Sequence, residues 1–236
     1  MLPDLPTLAW SEVPKLSCAQ ARQMTALATG RYGLPMSELM RRAGASLGRF
    51  TDLLAPDGPI LVVVGRGLSG GAGIAAACAL AEQGRRVWVV PTHEAENYSG
   101  VPKEQLEKLA ALEHVRVRNS LPRMKFGGVI DAAVGTGLSG PPRGRTLDVV
   151  TVLNSLGCKV VALDVPTGLG ADDGSAPGDA VQATATFALA LPKQGTAPGG
   201  LVGDLFVTDL GLPGALFRDV GLEPFTPPLP WGRIKG

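Results

Sequence analysis

The chain is poor in several things that would have decided its class at once. It has two histidines, His93 and His114, and three cysteines, Cys18, Cys78 and Cys158. The cysteines are isolated, form no CxxC pair and are odd in number, which argues against a disulfide framework or a cysteine-built metal site and suits a reducing compartment. No apolar run approaches the ~20 residues a membrane helix needs. The start, "MLPDLPTLAWSEVPKL", has three prolines and acidic residues ahead of any basic one, unlike a signal peptide. Net charge is +1 with no long basic run, so the electrostatic footprint of nucleic-acid binding is missing. These absences predict a soluble, cytoplasmic protein with neither a membrane nor a nucleic acid as partner.

What is present is an apolar, turn-rich chain of 236 residues, 45% hydrophobic and 18% charged, enough for one large core. Its 32 glycines and 20 prolines lie between apolar runs rather than in one tract, which reads as many tight turns, not disorder. Residues 1–16 read as an irregular arm. "SCAQARQMTALATGRYG" reads as a helix capped by Ser17 and ending near Gly30 or Gly33, and "MSELMRRAGASLGRFTDLLA" as a second helix with Leu39, Met40, Ala43 and Leu47 on one face. From Pro59 strand and helix alternate: "ILVVVG", "GAGIAAACALAEQG", "RVWVVP", "VPKEQLEKLAALE", "HVRV", "GGVIDAAVG", "TLDVVTVLNSLG", "KVVALDVPTG". Runs such as "ILVVV" and "VVAL" suit strands covered on both faces, as in a parallel sheet. "AVQATATFALALP" and "GDLFVTDLGLP" read as two more strands around a loop. The prediction is a single Rossmann-like three-layer α/β/α sandwich over residues 17–213, with a mostly parallel central sheet. Residues 214–236, ending "EPFTPPLPWGRIKG", read as a proline-rich tail along the surface.

Three segments end a strand in a glycine loop: "GRGLSGGAG", "DAAVGTGLSGPPRG" and "DVPTGLGADDG". If the strands are parallel, all three loops share the sheet edge at which open α/β folds bind ligands. The first loop opens a helix, whose free N–H groups and dipole favour an anion such as phosphate. Gly65, Gly67 and Gly70 fit GxGxxG, but the strand that should carry an acid for the ribose ends "RVWVVPTH", with none before Glu94. That argues against an ordinary dinucleotide dehydrogenase. Gly67, Ser69 and Gly71 fit the hydrolase elbow GxSxG, but no aspartate lies between Ser69 and either histidine. Both histidines read as surface residues, and Arg66 as solvated.

A third reading is a resemblance. "LMRRAG", "VVVGRGLSGGAGIAAACALAEQG", "VIDAAVGTGLSGPPRG", "VVALDVPTGLGADDG" and "LALALPKQGTAPGGLVGDLFVTDLGLP" occur in the order and at about the spacing of the YjeF N-terminal domain family, over about residues 17 to 213. That family includes the NAD(P)H-hydrate epimerases, which repair hydrated nicotinamide cofactors. The resemblance implies a homodimer that binds hydrated NAD(P)H or a related nucleotide beside a potassium ion. It implies substrate contacts from Leu68, Ser69, Gly70, Gly71 and Ala72, from Gly135, Thr136, Gly137, Leu138, Ser139, Gly140 and Pro141, and from Asp164 and Lys193. It implies ion ligands Ser69, Asp131 and Thr167, the last where the family usually has serine. Asp131 is the expected acid/base, since epimerisation takes a proton from the substrate and returns one. A strand-closing aspartate can equally be a turn former or cap.

The first loop departs from the family's "GxGNNGGDG": Leu68 and Ser69 stand for two asparagines and Ala72 for the aspartate. Arg41 stands where the family often has glutamate. The backbone cradle is kept while its polar side chains are thinned, which leaves a catalytically silent, ligand-binding or scaffolding member as the alternative. The family often fuses this domain to an NAD(P)HX dehydratase; here that enzyme would be a separate partner.

Overall fold

The computed structural model describes residues 3–109 and 111–236. Chain order runs β1 (Thr7–Ala9), α1 (Cys18–Gly30), α2 (Met36–Leu54), β2 (Ile60–Val64), α3 (Leu68–Glu82), β3 (Val87–Pro91), α4 (Gly100–Leu109), β4 (Val115–Val117), β5 (Gly128–Ala132), α5 (Arg145–Ser155), β6 (Lys159–Leu163), β7 (Ala185–Leu189), β8 (Asp204–Thr208), α6 (Gly214–Asp219) and β9 (Gly232–Lys235). Among the described residues nine strands form one sheet in the order β1-β9-β8-β7-β6-β5-β2-β3-β4, parallel except where β9 runs against β8.

Strand periodicity sorts the side chains into two cores. In β2, Ile60, Val62 and Val64 pack with the buried residues of α2 and α3, while Leu61 and Val63 pack with Val149, Val150 and Leu153 of α5. Further along the sheet, α1 and α6 cover Leu205, Val207 and Ile234. Helices on both faces make the three-layer sandwich expected from the alternating pattern. All five residues of β2 and of β5 are buried, the mark of strands inside a doubly covered parallel sheet.

Local signals are met as read at α1. The Ser17 hydroxyl accepts from the Gln20 N–H at 3.1 Å, and Gln20 Oε1 accepts from the Ser17 N–H at 3.0 Å, a complete capping box. Gly33, with φ +64°, makes the left-handed turn into α2. Gly44 and Gly48 serve close helix packing instead: a Cβ on Gly44 would lie 2.6 Å from the Ala76 nitrogen, so only glycine lets α2 seat against α3.

Both chain ends depart from their predicted roles. The arm is not irregular throughout, because β1 pairs in parallel with β9. The tail is not confined to the surface: it carries α6 and β9, and Trp231 is 1% exposed. The Trp231 indole donates to Ser46 at 2.8 Å and its ring stands edge-on to Phe50, 5.3 Å between centroids. Phe50 also meets Phe187 at 4.9 Å and Phe206 at 4.7 Å. Proline count conveys local stiffness but not that the segment after it finds an open sheet edge.

Candidate active site

β6, β5 and β2 are neighbours in the sheet and parallel, so the three glycine loops that follow them do converge on one edge. Two adjoining cavities lie there. The inner one, about 170 Å³, is walled by apolar side chains of α1 and α2, including Met24, Leu39 and Met40, and by Ala72 and Leu189. The outer one, about 680 Å³, is a trough over residues 133–143 and the start of α3. Arg22, Leu68, Ser69 and Thr136 line both, so the two are continuous.

Asp164 and Lys193 are the charged pair of the inner cavity. Lys193 Nζ donates to Asp164 Oδ1 at 2.7 Å and to the Leu191 carbonyl at 3.1 Å, and the Leu189 N–H donates to the same Oδ1 at 3.2 Å. The Lys193 side chain is 3% exposed and that of Asp164 13%, so the pair is desolvated and held from several directions. Asp164 Oδ2 accepts no hydrogen bond among the described residues and is left for a ligand.

Unusual backbone places this carboxylate. Asp164 has φ +66° and is bracketed by a Val165 N–H to Leu163 carbonyl bond of 2.7 Å. On the next strand Ala190 has φ +61°, bracketed by a Leu191 N–H to Leu189 carbonyl bond of 2.7 Å. Both are tight i→i+2 turns with positive φ, a strained geometry for residues with a Cβ, costing about 1–3 kcal/mol each. Turning the chain so abruptly at two adjacent strand ends aims Asp164 into the cavity instead of into the sheet. No pattern in the sequence announces these turns, which occur at an aspartate and an alanine rather than a glycine.

Asp131, the expected acid/base, sits elsewhere. It is 1% exposed and lines neither cavity. Its Oδ2 accepts from the Thr167 N–H at 2.8 Å, and its Oδ1 from the Thr167 hydroxyl at 2.7 Å and the Ala133 N–H at 3.2 Å. Burial pushes its pKa up, and those hydrogen bonds pull it partly back. Asp131 thus ties β5 to the loop after β6. Thr167 completes the knot, accepting from the Val134 N–H at 3.0 Å, with the Val134 carbonyl 3.1 Å from its hydroxyl. The carboxylate, the hydroxyl and the Val134 carbonyl are all hard oxygen donors gathered at one point, a set that fits a potassium ion in kind.

The first loop divides into packing glycines and open ones. A Cβ on Gly65 would strike the Ala133 carbonyl, one on Gly70 the Gly65 carbonyl, and one on Gly71 the Met40 side chain. Gly71 therefore packs against α2 and lines neither cavity, contrary to its expected substrate contact. Gly67 and Gly137 have open space where a Cβ would be, so a ligand can approach their backbone. Residues 135–141 all line the trough, as expected, and Ser69 Oγ lies against Gly135. Leu68 stands 51% exposed at the mouth shared by both cavities. Ala72 is part of the apolar wall, where the lost aspartate would have brought charge. Arg41 takes no part: it reaches from α2 into solvent and pairs with Glu38 at 2.7 Å.

Three site residues have no signal in the sequence. Arg22 arrives from α1, which is carried over the site because Leu16 pairs with the 192–194 segment through bonds of 2.9 and 3.1 Å. Arg143 follows the Pro141–Pro142 turn. His93 is not a plain surface residue: it walls the trough with Arg66, and its pKa is pushed down by partial burial, then by Arg66 and Arg145. Only His114 is exposed as read. Arg22, Arg66, Arg143 and His93 line the trough, with no carboxylate among its described walls, a lining that favours an anion.

Comparison with known proteins agrees with this geometry. Residues 36–195 match the family described as YjeF-related protein N-terminus. The chain is 67% identical over 219 residues to an NAD(P)H-hydrate epimerase of Truepera radiovictrix, covering 93% of this chain and 100% of that one. It is 33% identical to an NAD(P)H-hydrate epimerase of Dehalogenimonas lykanthroporepellens, over 88% of this chain and 86% of the other. Its fold matches the crystal structure of yeast ynu0 with a TM-score of 0.78 at 22% identity, over 90% and 96% of the two chains. The chain belongs to the YjeF-related N-terminal domain family.

Proposed function

We propose that this protein interconverts the R and S epimers of hydrated NADH and NADPH. The observation that carries the reading is the junction of two unlike cavities: a desolvated carboxylate–ammonium pair in an apolar pocket opens onto a cation-lined trough floored by glycine loops. A hydrated nicotinamide dinucleotide has the same two halves, a small neutral ring and an anionic pyrophosphate. The relatives named NAD(P)H-hydrate epimerase support the same substrate.

A hydrated nicotinamide bears its hydroxyl on a ring carbon beside the nitrogen. Inverting that carbon requires a bond there to break and re-form on the other face, with one proton removed and one returned. In this reading Asp164 does that work, because it lines the cavity with Oδ1 anchored and Oδ2 accepting no hydrogen bond among the described residues. Lys193 holds the carboxylate in place through the 2.7 Å contact to Oδ1. Asp131 acts beneath the site, where it and Thr167, with Ser69 from the first loop, would hold a potassium ion. Such an ion would supply positive charge for the substrate's phosphates. The apolar walls from α1 and α2 exclude bulk water from the reacting carbon. Leu68 and Ala72 fit this division of labour, since the ring's pocket gains apolar surface where the family has polar groups. No helix among the described residues is long and apolar enough to cross a membrane. The reading extends to a cytoplasmic homodimer.

The test is epimerisation of a single purified epimer of hydrated NADH in potassium buffer, followed by chromatographic separation of the two forms. The protein is expected to accelerate equilibration well beyond the spontaneous rate. Asp164→Asn keeps the acceptor for Leu189 and Lys193, and asparagine tolerates positive φ, so the fold should survive. Its activity should drop by about 10²-fold or more, the usual contribution of a positioned acid/base. No acceleration by the wild-type protein would overturn the activity, and full activity in Asp164→Asn would overturn the role given to Asp164.

A further inference from the structure

The order of strands along the site gives a direction to any dinucleotide bound across it. The parallel strands end in the sequence β7, β6, β5, β2, β3. Asp164 and Lys193 follow β6 and β7, which places the reacting ring at that end. The glycine loops follow β5 and β2 and suit the pyrophosphate. Strands lie about 4.8 Å apart, so β7 to β3 spans roughly 19 Å, room for an extended dinucleotide. The adenosine half then falls at the end of β3, beside His93.

Dinucleotide folds that select the unphosphorylated cofactor place an acid at this strand end for the ribose 2′-hydroxyl, whereas an arginine there accommodates a 2′-phosphate. Here no carboxylate lines the trough. Glu94, the next residue, is turned toward Arg145 and Asn119, each at 3.5 Å. Arg66, by contrast, makes no ion pair or hydrogen bond among the described residues and walls the trough together with His93. The Thr92 hydroxyl engages His93 Nδ1 at 2.9 Å, which leaves Nε2 for a ligand. Arg22 stands at the junction with the inner cavity, and the helix start and open glycines supply N–H donors, so the pyrophosphate is provided for without Arg66.

We propose that Arg66 and His93 form a subsite for the ribose 2′-phosphate and give the protein a preference for hydrated NADPH over hydrated NADH. This rests on the epimerase reading for its substrate but not for its measurement. Adenosine 2′,5′-bisphosphate and adenosine 5′-monophosphate are titrated by calorimetry into the wild-type protein and into Arg66→Ala and His93→Gln, with circular dichroism as a check of folding. In parallel, kcat/KM is compared for hydrated NADPH and hydrated NADH.

The bisphosphate should bind the wild-type protein about tenfold or more tighter, the usual worth of a charged hydrogen bond. Arg66→Ala should bring that ratio, and the kcat/KM ratio, close to one, and His93→Gln should reduce both by less. Equal affinities in the wild-type protein would overturn the proposal. So would a loss in Arg66→Ala shared equally by both nucleotides, because Arg66 would then serve the phosphate they have in common. A retained bisphosphate preference with no epimerisation would sink the activity while leaving the subsite; epimerisation with no preference would do the reverse.

Discussion

Thr167→Val removes one hydroxyl from a fully buried position and leaves its shape almost unchanged. Two hydrogen bonds go: the hydroxyl proton is donated to Asp131 Oδ1 at 2.7 Å, with the Val134 carbonyl at 3.1 Å as the alternative acceptor, and the oxygen accepts from the Val134 N–H at 3.0 Å. An orphaned buried N–H costs about 1–3 kcal/mol, and a lost hydrogen bond to a charged group about 1.5–3 kcal/mol. The expected destabilisation is therefore roughly 3–6 kcal/mol, a large share of the 5–15 kcal/mol typical of a domain. At about 2–4 °C per kcal/mol for a chain of this size, the melting temperature should fall by roughly 6–24 °C. Thr167 is also one of the influences that lower the Asp131 pKa against burial, so the variant should push that carboxyl higher still. Thr167→Ser keeps the hydroxyl and should stay within about 1 kcal/mol of the wild-type protein, since surrendering a single methyl costs little. The assay is urea unfolding followed by circular dichroism. A Thr167→Val variant as stable as Thr167→Ser would refute the view that this hydroxyl ties Asp131 to the loop at Val134.

Two other perturbations probe the core and the trough. Phe50→Ala empties the centre of the Phe187–Phe206–Trp231 cluster and should cost about 3–5 kcal/mol in the same unfolding assay; a loss under about 1 kcal/mol would mean the tail is not docked as described. His93 has a pKa below its unfolded value, so the unfolded chain binds more protons, and the stability His93 contributes is present above about pH 6.5 and lost as pH falls through its lower folded-state pKa. His93→Gln should flatten that part of the stability–pH curve, and an unchanged slope between pH 7 and 5 would contradict it.

The sequence was sufficient wherever a short segment carries its own physical instruction. The Ser17–Gln20 box stated where α1 begins, the uninterrupted valines of β2 stated that both faces of the sheet are covered, and three glycine loops at parallel strand ends stated which edge carries the two cavities. Residues 135–141, Asp164 and Lys193, expected at the site through the family resemblance, line the two cavities at that edge. Other features came only with the tertiary structure, because they are relations between distant segments. Whether Asp131 or Asp164 lines the inner cavity depends on which one the backbone turns outward, and Asp164 is turned there by a positive-φ turn bonded to β7 through the Phe187 carbonyl and the Leu189 N–H. His93 and Arg66 become one site only when β3 aligns beside β2, and Arg22 only when Leu16 pairs with the segment around Lys193. The tail's prolines obscured β9, whose pairing is set by the open edge of β8 and by a tryptophan that finds Phe50. Local propensity and periodicity act through neighbours in the chain; the choice of carboxylate, the charge of the trough and the closing strand are decided by neighbours in space.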